Sequence, residues 1–299
     1  MARALAAGLA ADALTVIVNV GDDDVIHGAH VAADLDTVMY TLAGVEGPRG
    51  WGRAGDSWRV MDEMARLGAD ASFRLGDLDL ATCLQRTAML RAGVPLSAVT
   101  ARLCAAHGVG PTVIPASDDP IPTRLQIRDG SWLDFQEYFV RRGHRDAVRR
   151  VVFEGAERAR PAPGVIEALE SADVVVIAPS NPPLSIWPIL AVPGIRDALG
   201  AATRVVAVSP FFGGRTIKGP AAEVMVAVGL AGGNLGILEA YQGLVTDLVI
   251  DHGDAAEAAT LGWSGIRIIS LDTRMADPDD GAAFGRALLA RLTPEPPVR

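Results

Sequence analysis

Asp173-Val174-Val175-Val176-Ile177-Ala178-Pro179-Ser180-Asn181-Pro182 is the stretch that decides the fold. Its apolar part is strand-length, β-branched and uninterrupted by polar residues. A strand with one wet face would alternate; an unbroken run is buried on both faces, as in a parallel sheet covered by helices. Similar runs occur at 15–20, 112–114, 204–208, 247–250 and 267–269. Polar or turn residues follow four of the six: Asn19-Val20-Gly21-Asp22, Pro115-Ala116-Ser117-Asp118, Ser180-Asn181 and Ser209-Pro210. Open α/β sheets bind ligands beyond the carboxyl ends of their strands, so these four segments are the candidate site.

Helical patterns lie between the strands. Trp58, Met61, Met64 and Leu67 fall on one face, with Asp56 or Ser57 as the expected N-cap. Leu80, Cys83, Leu84, Thr87 and Leu90 form a second stripe, and Val99, Leu103 and Ala106 a third opened by Ser97. This block is too long for an ordinary crossover and reads as a mainly helical insertion at about 38–110 within a single domain, 1–299. Residues 124–140 read as a hairpin turning at Asp129-Gly130, with a second strand from Trp132 to Phe139.

Composition narrows the function. Hydrophobic residues make up 49% of the 299, enough for a large core. A net charge of −9 argues against a nucleic-acid surface. Cys83 and Cys104 lack CxxC spacing and read as buried apolar residues in a reducing compartment, so a cytoplasmic protein is expected. No apolar run is long enough to span a membrane. Basic charge is almost all arginine, and Lys218 is the only lysine.

Asp22-Asp23-Asp24 follows the first strand, and Asp34-Leu35-Asp36-Thr37 comes soon after. Two readings stand. One is a divalent-metal site serving phosphate chemistry; the other is a solvated acidic loop with Asp34 or Asp36 capping a helix. Ser180-Asn181-Pro182 could aim hydroxyl, amide and backbone groups at a phosphate, or be an ordinary turn. Gly213-Gly214-Arg215 and Lys218-Gly219-Pro220 suggest close backbone approach at the start of a helix over 221–228, without matching a P-loop. The five histidines show no zinc spacing and no triad, although His27 lies near the acidic loop.

An ordered set of motifs resembles the 2-phospho-L-lactate transferase family. It comprises Val18-Asn19-Val20-Gly21-Asp22-Asp23, His27-Gly28, Asp34-Leu35-Asp36-Thr37-Val38-Met39-Tyr40-Thr41-Leu42, Gly50-Trp51-Gly52, Leu75-Gly76-Asp77, Asp79-Leu80-Ala81-Thr82, Ser117-Asp118-Asp119-Pro120, Phe135-Gln136-Glu137-Tyr138-Phe139, Pro161-Ala162-Pro163-Gly164, Pro179-Ser180-Asn181-Pro182 and Lys218-Gly219-Pro220-Ala221. Each is weak alone; together, in order, they are specific. The resemblance implies a Rossmann-like, mostly parallel α/β sheet with the helical insertion. It implies a transferase of coenzyme F-420 biosynthesis, moving a phosphoenolpyruvyl or 2-phospholactyl group from a guanosine diphosphate-linked donor to the deazaflavin Fo, with Mg²⁺ and release of GMP. By the same resemblance Asp34 and Asp36 are the catalytic and metal-holding residues. Asp36, Thr37 and Arg74 would lie at Fo, and Ser180, Asn181, Pro182, Gly214, Lys218 and Gly219 at the nucleotide. A homodimer is expected.

Two departures accompany the resemblance. The family opens on a strand and a Gly-Gly-x-Gly loop, whereas Ala4-Leu5-Ala6-Ala7-Gly8-Leu9 reads as the helix that follows them, so that strand and loop are expected to be lacking. Leu78 stands where the family has arginine, with Arg74 or Arg86 as substitutes. The alternative is a non-catalytic sugar-nucleotide-binding regulator of the related Rossmann-like family. A dinucleotide-dependent oxidoreductase is disfavoured, because no GxGxxG follows residues 15–20.

Overall fold

The computed structural model describes residues 1–48, 50–216, 220–262 and 265–292. The chain runs through α1 (Ala2–Ala6), β1 (Thr15–Val18), β2 (Asp24–Ile26), β3 (Ala29–Val31), α2 (Ala33–Leu42), α3 (Arg59–Arg66), α4 (Asp77–Arg91) and α5 (Leu96–Ala106). Then come β4 (Thr112–Pro115), β5 (Thr123–Ile127), β6 (Trp132–Asp134), β7 (Val148–Phe153), α6 (Val165–Ser171), β8 (Val175–Ile177), α7 (Trp187–Leu190), α8 (Ile195–Ala201) and β9 (Val205–Val208). The last part holds β10 (Phe211–Phe212), β11 (Arg215–Thr216), α9 (Ala221–Ala227), α10 (Gly233–Ala240), β12 (Asp247–Asp251), α11 (Ala258–Leu261), β13 (Arg267–Leu271) and α12 (Pro278–Leu292).

Each of the six apolar runs carries a parallel strand. β13, β12, β9 and β8 form one four-stranded sheet in that order, and β1 pairs with β4 in a second. Every residue of β9 and β12 is buried, which is why neither run alternates with polar residues. The sheet is thus in two pieces rather than one ladder among the described residues. A common core joins them: Val18 and Val113 from one piece share it with Ile177 and Val205 from the other.

The helices α3, α4 and α5 lie between β1 and β4 in sequence. Met61, Leu75, Leu80 and Cys83 pack with Ile26, Ala29 and Val31 of the β2–β3 hairpin in a core of their own. Two readings of this block are corrected. Leu84, placed on the buried stripe, is exposed, while Arg86 is buried. Asp56 does not cap α3. Its carboxylate accepts from the backbone N–H of Leu78 and Asp79 and so caps α4 (2.7 and 3.2 Å), while Asp77 caps α3 through Arg59 and Val60. The two helix starts face one another and exchange caps.

The hairpin at 124–140 is also shorter than its sequence suggests. β5 and β6 pair antiparallel, with β7 on the other side of β5, but β6 ends at Asp134. A helical turn over Glu137–Arg141 follows. Phe135 and Phe139 stack with ring centroids 5.4 Å apart, a meeting of residues four apart that a turn of helix allows and a strand does not. No helix among the described residues is long and apolar enough to cross a membrane.

Candidate active site

Two of the four strand-end segments are used up by structure. Beyond β4, Ser117 donates to the carbonyl of Arg160 (2.7 Å), and Asp118 caps α5 through the N–H and hydroxyl of Ser97. Beyond β9, Ser209 donates to the Asn234 side chain, which donates in turn to Glu257. The other two segments keep polar groups unspent.

Beyond β1, Asn19 turns the chain. Its side-chain Oδ1 accepts from the N–H of Gly21 (2.7 Å). Its Nδ2 donates to Asp22 (3.3 Å) and Asp34 (3.1 Å), drawing the two carboxylates onto one amide. Gln136 reaches in from the helical turn after β6 and donates to the carbonyl of Asp22 (2.7 Å). Gly21 leaves no room for a side chain: a Cβ there would lie 2.6 Å from the Thr123 hydroxyl and 2.9 Å from Pro188. The acidic loop is thereby packed against β5 and against the segment that follows Ser180-Asn181.

The carboxylates carry more negative charge than their surroundings tolerate. Burial pushes Asp22 well above the usual carboxylate range, and the charges of Asp34 and Asp23 push it further. Asp34 is raised by burial, against the hydrogen bonds from Asn19 and Asp22. Asp23 is raised by burial first; Arg86 opposes this, and Asp36 and Asp34 add to it. Asp23 therefore feels the charges of both Asp34 and Asp36. His30 lies 3.8 Å from Asp23, but burial and then Arg86 push its pKa down to about 4, so it is neutral and no counter-charge.

Asp34 and Asp36 both stand in the first turn of α2, and neither caps it. Residues two apart on a helix point away from one another. Asp34 accordingly converges with Asp22, and Asp36 turns towards α4, where it forms a buried ion pair with Arg86. Asp79, also on α4, accepts from the Tyr40 hydroxyl (3.0 Å) and is raised to about 6 by burial and then by the charge of Asp36. Cys83 completes this group: its thiol is 4.0 Å from Asp36, and burial pushes its pKa up to about 12.

Beyond β8, the side chain of Asn181 has both its oxygen and its nitrogen buried without a hydrogen-bond partner, although its backbone carbonyl holds the turn through Ser185 (2.9 Å). Ser180 flanks it, half-buried, and Pro182 is buried and opens the next helical turn. Gly214 stands at the turn between β10 and β11, and its N–H is taken by Asp254 (2.7 Å). Lys218 and Gly219 lie outside the described residues. Thr37 is half-buried beside Asp36 in sequence. Arg74 stands apart from the acidic cluster, paired with Asp62 (2.7 Å) and 5.5 Å over the ring of Trp58.

Asp22, Asp23, Thr123 and Gln136 line a chamber of about 40 Å³, into which the sequence reading placed only the aspartates. The Oδ1 of Asp23 and the Oγ1 of Thr123 are buried there without partners. A chamber of this size holds a water or a small ion. Mg²⁺ takes one or two carboxylates together with waters and phosphate oxygens. The donor set at Asp22 and Asp34 fits that description, since buried Asp22 lines the chamber, converges with half-buried Asp34 on the Asn19 amide and is repelled by its charge. A larger cavity, of about 460 Å³, lies between α1 and the loops at 46–50 and 275–277. Two of its charged groups, Arg3 and Glu46, pair with one another, Asp277 also lines it, and none of the acidic cluster reaches it.

Over residues 1–277 the chain matches the family described as 2-phospho-L-lactate transferase CofD. It is 43% identical over 283 residues to a phosphoenolpyruvate transferase of Streptomyces griseus, spanning 92% of this chain and 89% of that one. It is 38% identical over 287 residues to a phosphoenolpyruvate transferase of Mycolicibacterium smegmatis, spanning 92% and 86%. Its fold is similar to that of a upf0052 family protein of Bacillus halodurans, with a TM-score of 0.59, 19% identity, and coverage of 92% of this chain and 90% of that one. At such identity the last likeness bears on fold alone. The ordered motifs, the α/β architecture and these matches agree: the chain belongs to the 2-phospho-L-lactate transferase CofD family and is a transferase.

Proposed function

We propose that the protein transfers a phosphoenolpyruvyl group from a guanosine diphosphate-linked donor to the terminal hydroxyl of the deazaflavin Fo and releases GMP, in coenzyme F-420 biosynthesis. The names of relatives at 38–43% identity favour phosphoenolpyruvyl over 2-phospholactyl. The observation that carries the chemistry is the convergence of two repelling carboxylates, buried Asp22 and half-buried Asp34, on the one amide of Asn19.

In the reaction the hydroxyl oxygen of Fo forms a bond to the phosphorus that bears the enolpyruvyl group. The bond from that phosphorus to the bridging oxygen breaks, and GMP leaves with the electron pair. Little covalent work falls to the protein in such a step; positioning and neutralisation of charge dominate. Asp36, with one carboxylate oxygen held by Arg86, orients the acceptor hydroxyl and takes its proton. Asn181 offers an amide to the donor's phosphates or base, and Ser180 a hydroxyl. Asp22 and Asp34 would hold Mg²⁺, which when bound neutralises charge on the phosphates.

The test is incubation with Fo, Mg²⁺ and each guanylated donor in turn, following product mass. The dehydro product from the phosphoenolpyruvyl donor is expected. Absence of any Fo adduct overturns the reading, and tight binding of a sugar nucleotide without turnover would replace it by the regulator.

A further inference from the structure

The residue at the centre of the acidic cluster is a cation that the sequence reading offered only as a substitute for another arginine. Arg86 leaves α4 on its inner face and is 1% exposed. One terminal nitrogen pairs with Oδ1 of Asp36 on α2. The other donates to the backbone carbonyl of His30 on β3 (3.1 Å) and lies 3.9 Å from the Cys83 thiol. One guanidinium thus joins three elements at the carboxylate. The second oxygen of Asp36 is not held by Arg86; the Cys83 thiol lies 4.0 Å from it, and a carboxylate oxygen of Asp79 is within 4.8 Å of the same carboxylate.

We propose that Arg86 is a positioning residue for the transfer, fixing Asp36 so that one carboxylate oxygen is held and the other is presented to the acceptor hydroxyl. This rests on the reading of Asp36 as the residue that receives that hydroxyl. A buried ion pair is a poor way to gain stability, because desolvating both charges offsets their attraction, and an apolar pair of similar volume would serve as well. The apolar alternative is at hand, since Leu35 and Met39 of α2 and Leu80 of α4 are buried nearby in the chain. What the pair provides and an apolar pair cannot is a carboxylate with one orientation. A lone carboxylate on a helix would rotate about its side-chain torsions, and a misplacement of about 1 Å costs on the order of 10²-fold in rate. Arg86 does not replace a substrate-binding cation at Leu78, which is exposed while Arg86 is enclosed by protein.

The experiment uses the full chain with Arg86→Lys and Arg86→Gln. Folding is checked by circular dichroism and melting, and kcat and KM are measured for both substrates. A folded Arg86→Lys is expected to lose about tenfold or more in kcat with KM within about threefold of the parent, and Arg86→Gln to lose more. Lysine keeps the charge but cannot reach the Asp36 carboxylate and the His30 carbonyl at once from two nitrogens of one rigid plane. An unchanged kcat in a folded variant, or a change in KM alone, overturns the proposal. A crystal structure of the unaltered protein with Fo decides the matter even where the variants do not fold. Arg86 still on Asp36, with the free oxygen of Asp36 on the Fo hydroxyl, supports the proposal; a guanidinium moved onto substrate overturns it. If the unaltered protein makes no Fo adduct, it is the proposed function that fails. Adduct formation with a normal kcat in the variants sinks only the role of Arg86.

Discussion

Asp22 and Asp34 approach one and the same group, the side-chain amide of Asn19, at 3.3 and 3.1 Å. A single amide cannot neutralise two carboxylates, so the pair holds a proton or a cation more firmly than free carboxylates do.

This has a consequence for stability. Both groups have folded pKa values above their unfolded ones, so the ionised pair subtracts stability at high pH. That loss is relieved as pH falls through the raised folded values towards the unfolded range. Without divalent ions, the unaltered protein should melt below Asp34→Asn at about pH 8, and the gap should close towards about pH 5. Adding Mg²⁺ at the higher pH should raise the unaltered protein by about 2–4 °C and the variant by less. Melting curves at the two pH values, with and without Mg²⁺, check this; equal responses would remove the pair from metal binding.

Asp36→Asn should lower kcat on the order of 10²-fold or more, since the amide cannot take the proton of an attacking hydroxyl. The amide oxygen still accepts from Arg86, so the variant should fold, with a lower melting temperature. Normal turnover in steady-state assays of the folded variant would exclude Asp36 from the chemistry.

Gly21→Ala places a Cβ 2.6 Å from the Thr123 hydroxyl and 2.9 Å from Pro188, so the acidic loop must shift. A displacement near 1 Å predicts a loss of about 10²-fold in kcat. The loss of stability should be about 1–3 kcal/mol. Denaturant melts read against kinetics separate the two effects.

At Gly76 a Cβ would lie 2.0 Å from the Asp56 carboxylate that caps α4. Asp56→Ala should cost about 1 kcal/mol, as loss of a helix cap does, and Gly76→Ala somewhat more through steric displacement. Because both act on one cap, the double variant should be less unstable than the sum. Additive losses in a double-mutant cycle would show the two to be independent.

Cys83 and Cys104 are buried, and their thiols are pushed up to about 12 and 11 by burial. Neither should react with a thiol reagent near pH 8 until the protein unfolds, because the thiolate is the reactive form. Mass spectrometry after brief alkylation reads this directly.

Much of the molecule was legible without coordinates. The runs at 173–178 and 204–208 read as parallel strands buried on both faces, and they are neighbours in the parallel sheet as β8 and β9; β9 is wholly buried, whereas β8, at the sheet's edge, is only partly so. The acids at 22–24 and 34–36 left two readings open, a metal site or a solvated loop with a helix cap, because acids massed at a strand end are costly unless something compensates them; neither Asp34 nor Asp36 caps α2. The misreadings share a cause. Leu84 and Arg86 are two apart on α4, and hydropathy put the leucine inside; the buried carboxylate of Asp36 reverses that order. A clue was present in the spacing, since Arg86 lies three residues from Cys83 and four from Leu90, within the stripe. Likewise Asp56 was assigned to the helix next to it in sequence, whereas the cap it makes is on a helix 20 residues on, because the two helix starts meet in space.

The ordered motifs carried the resemblance to the family. Periodicity and residue type, which are local, determined the strands and most of the helices. They act within a few residues of chain, where sterics and burial pattern suffice. The tertiary structure alone decided which polar groups meet: Asp34 with Asp22 on the Asn19 amide and Asp36 with Arg86, while the side chain of Asn181 is buried without a partner. Electrostatic energies depend on distance and burial, and neither is written in the order of residues.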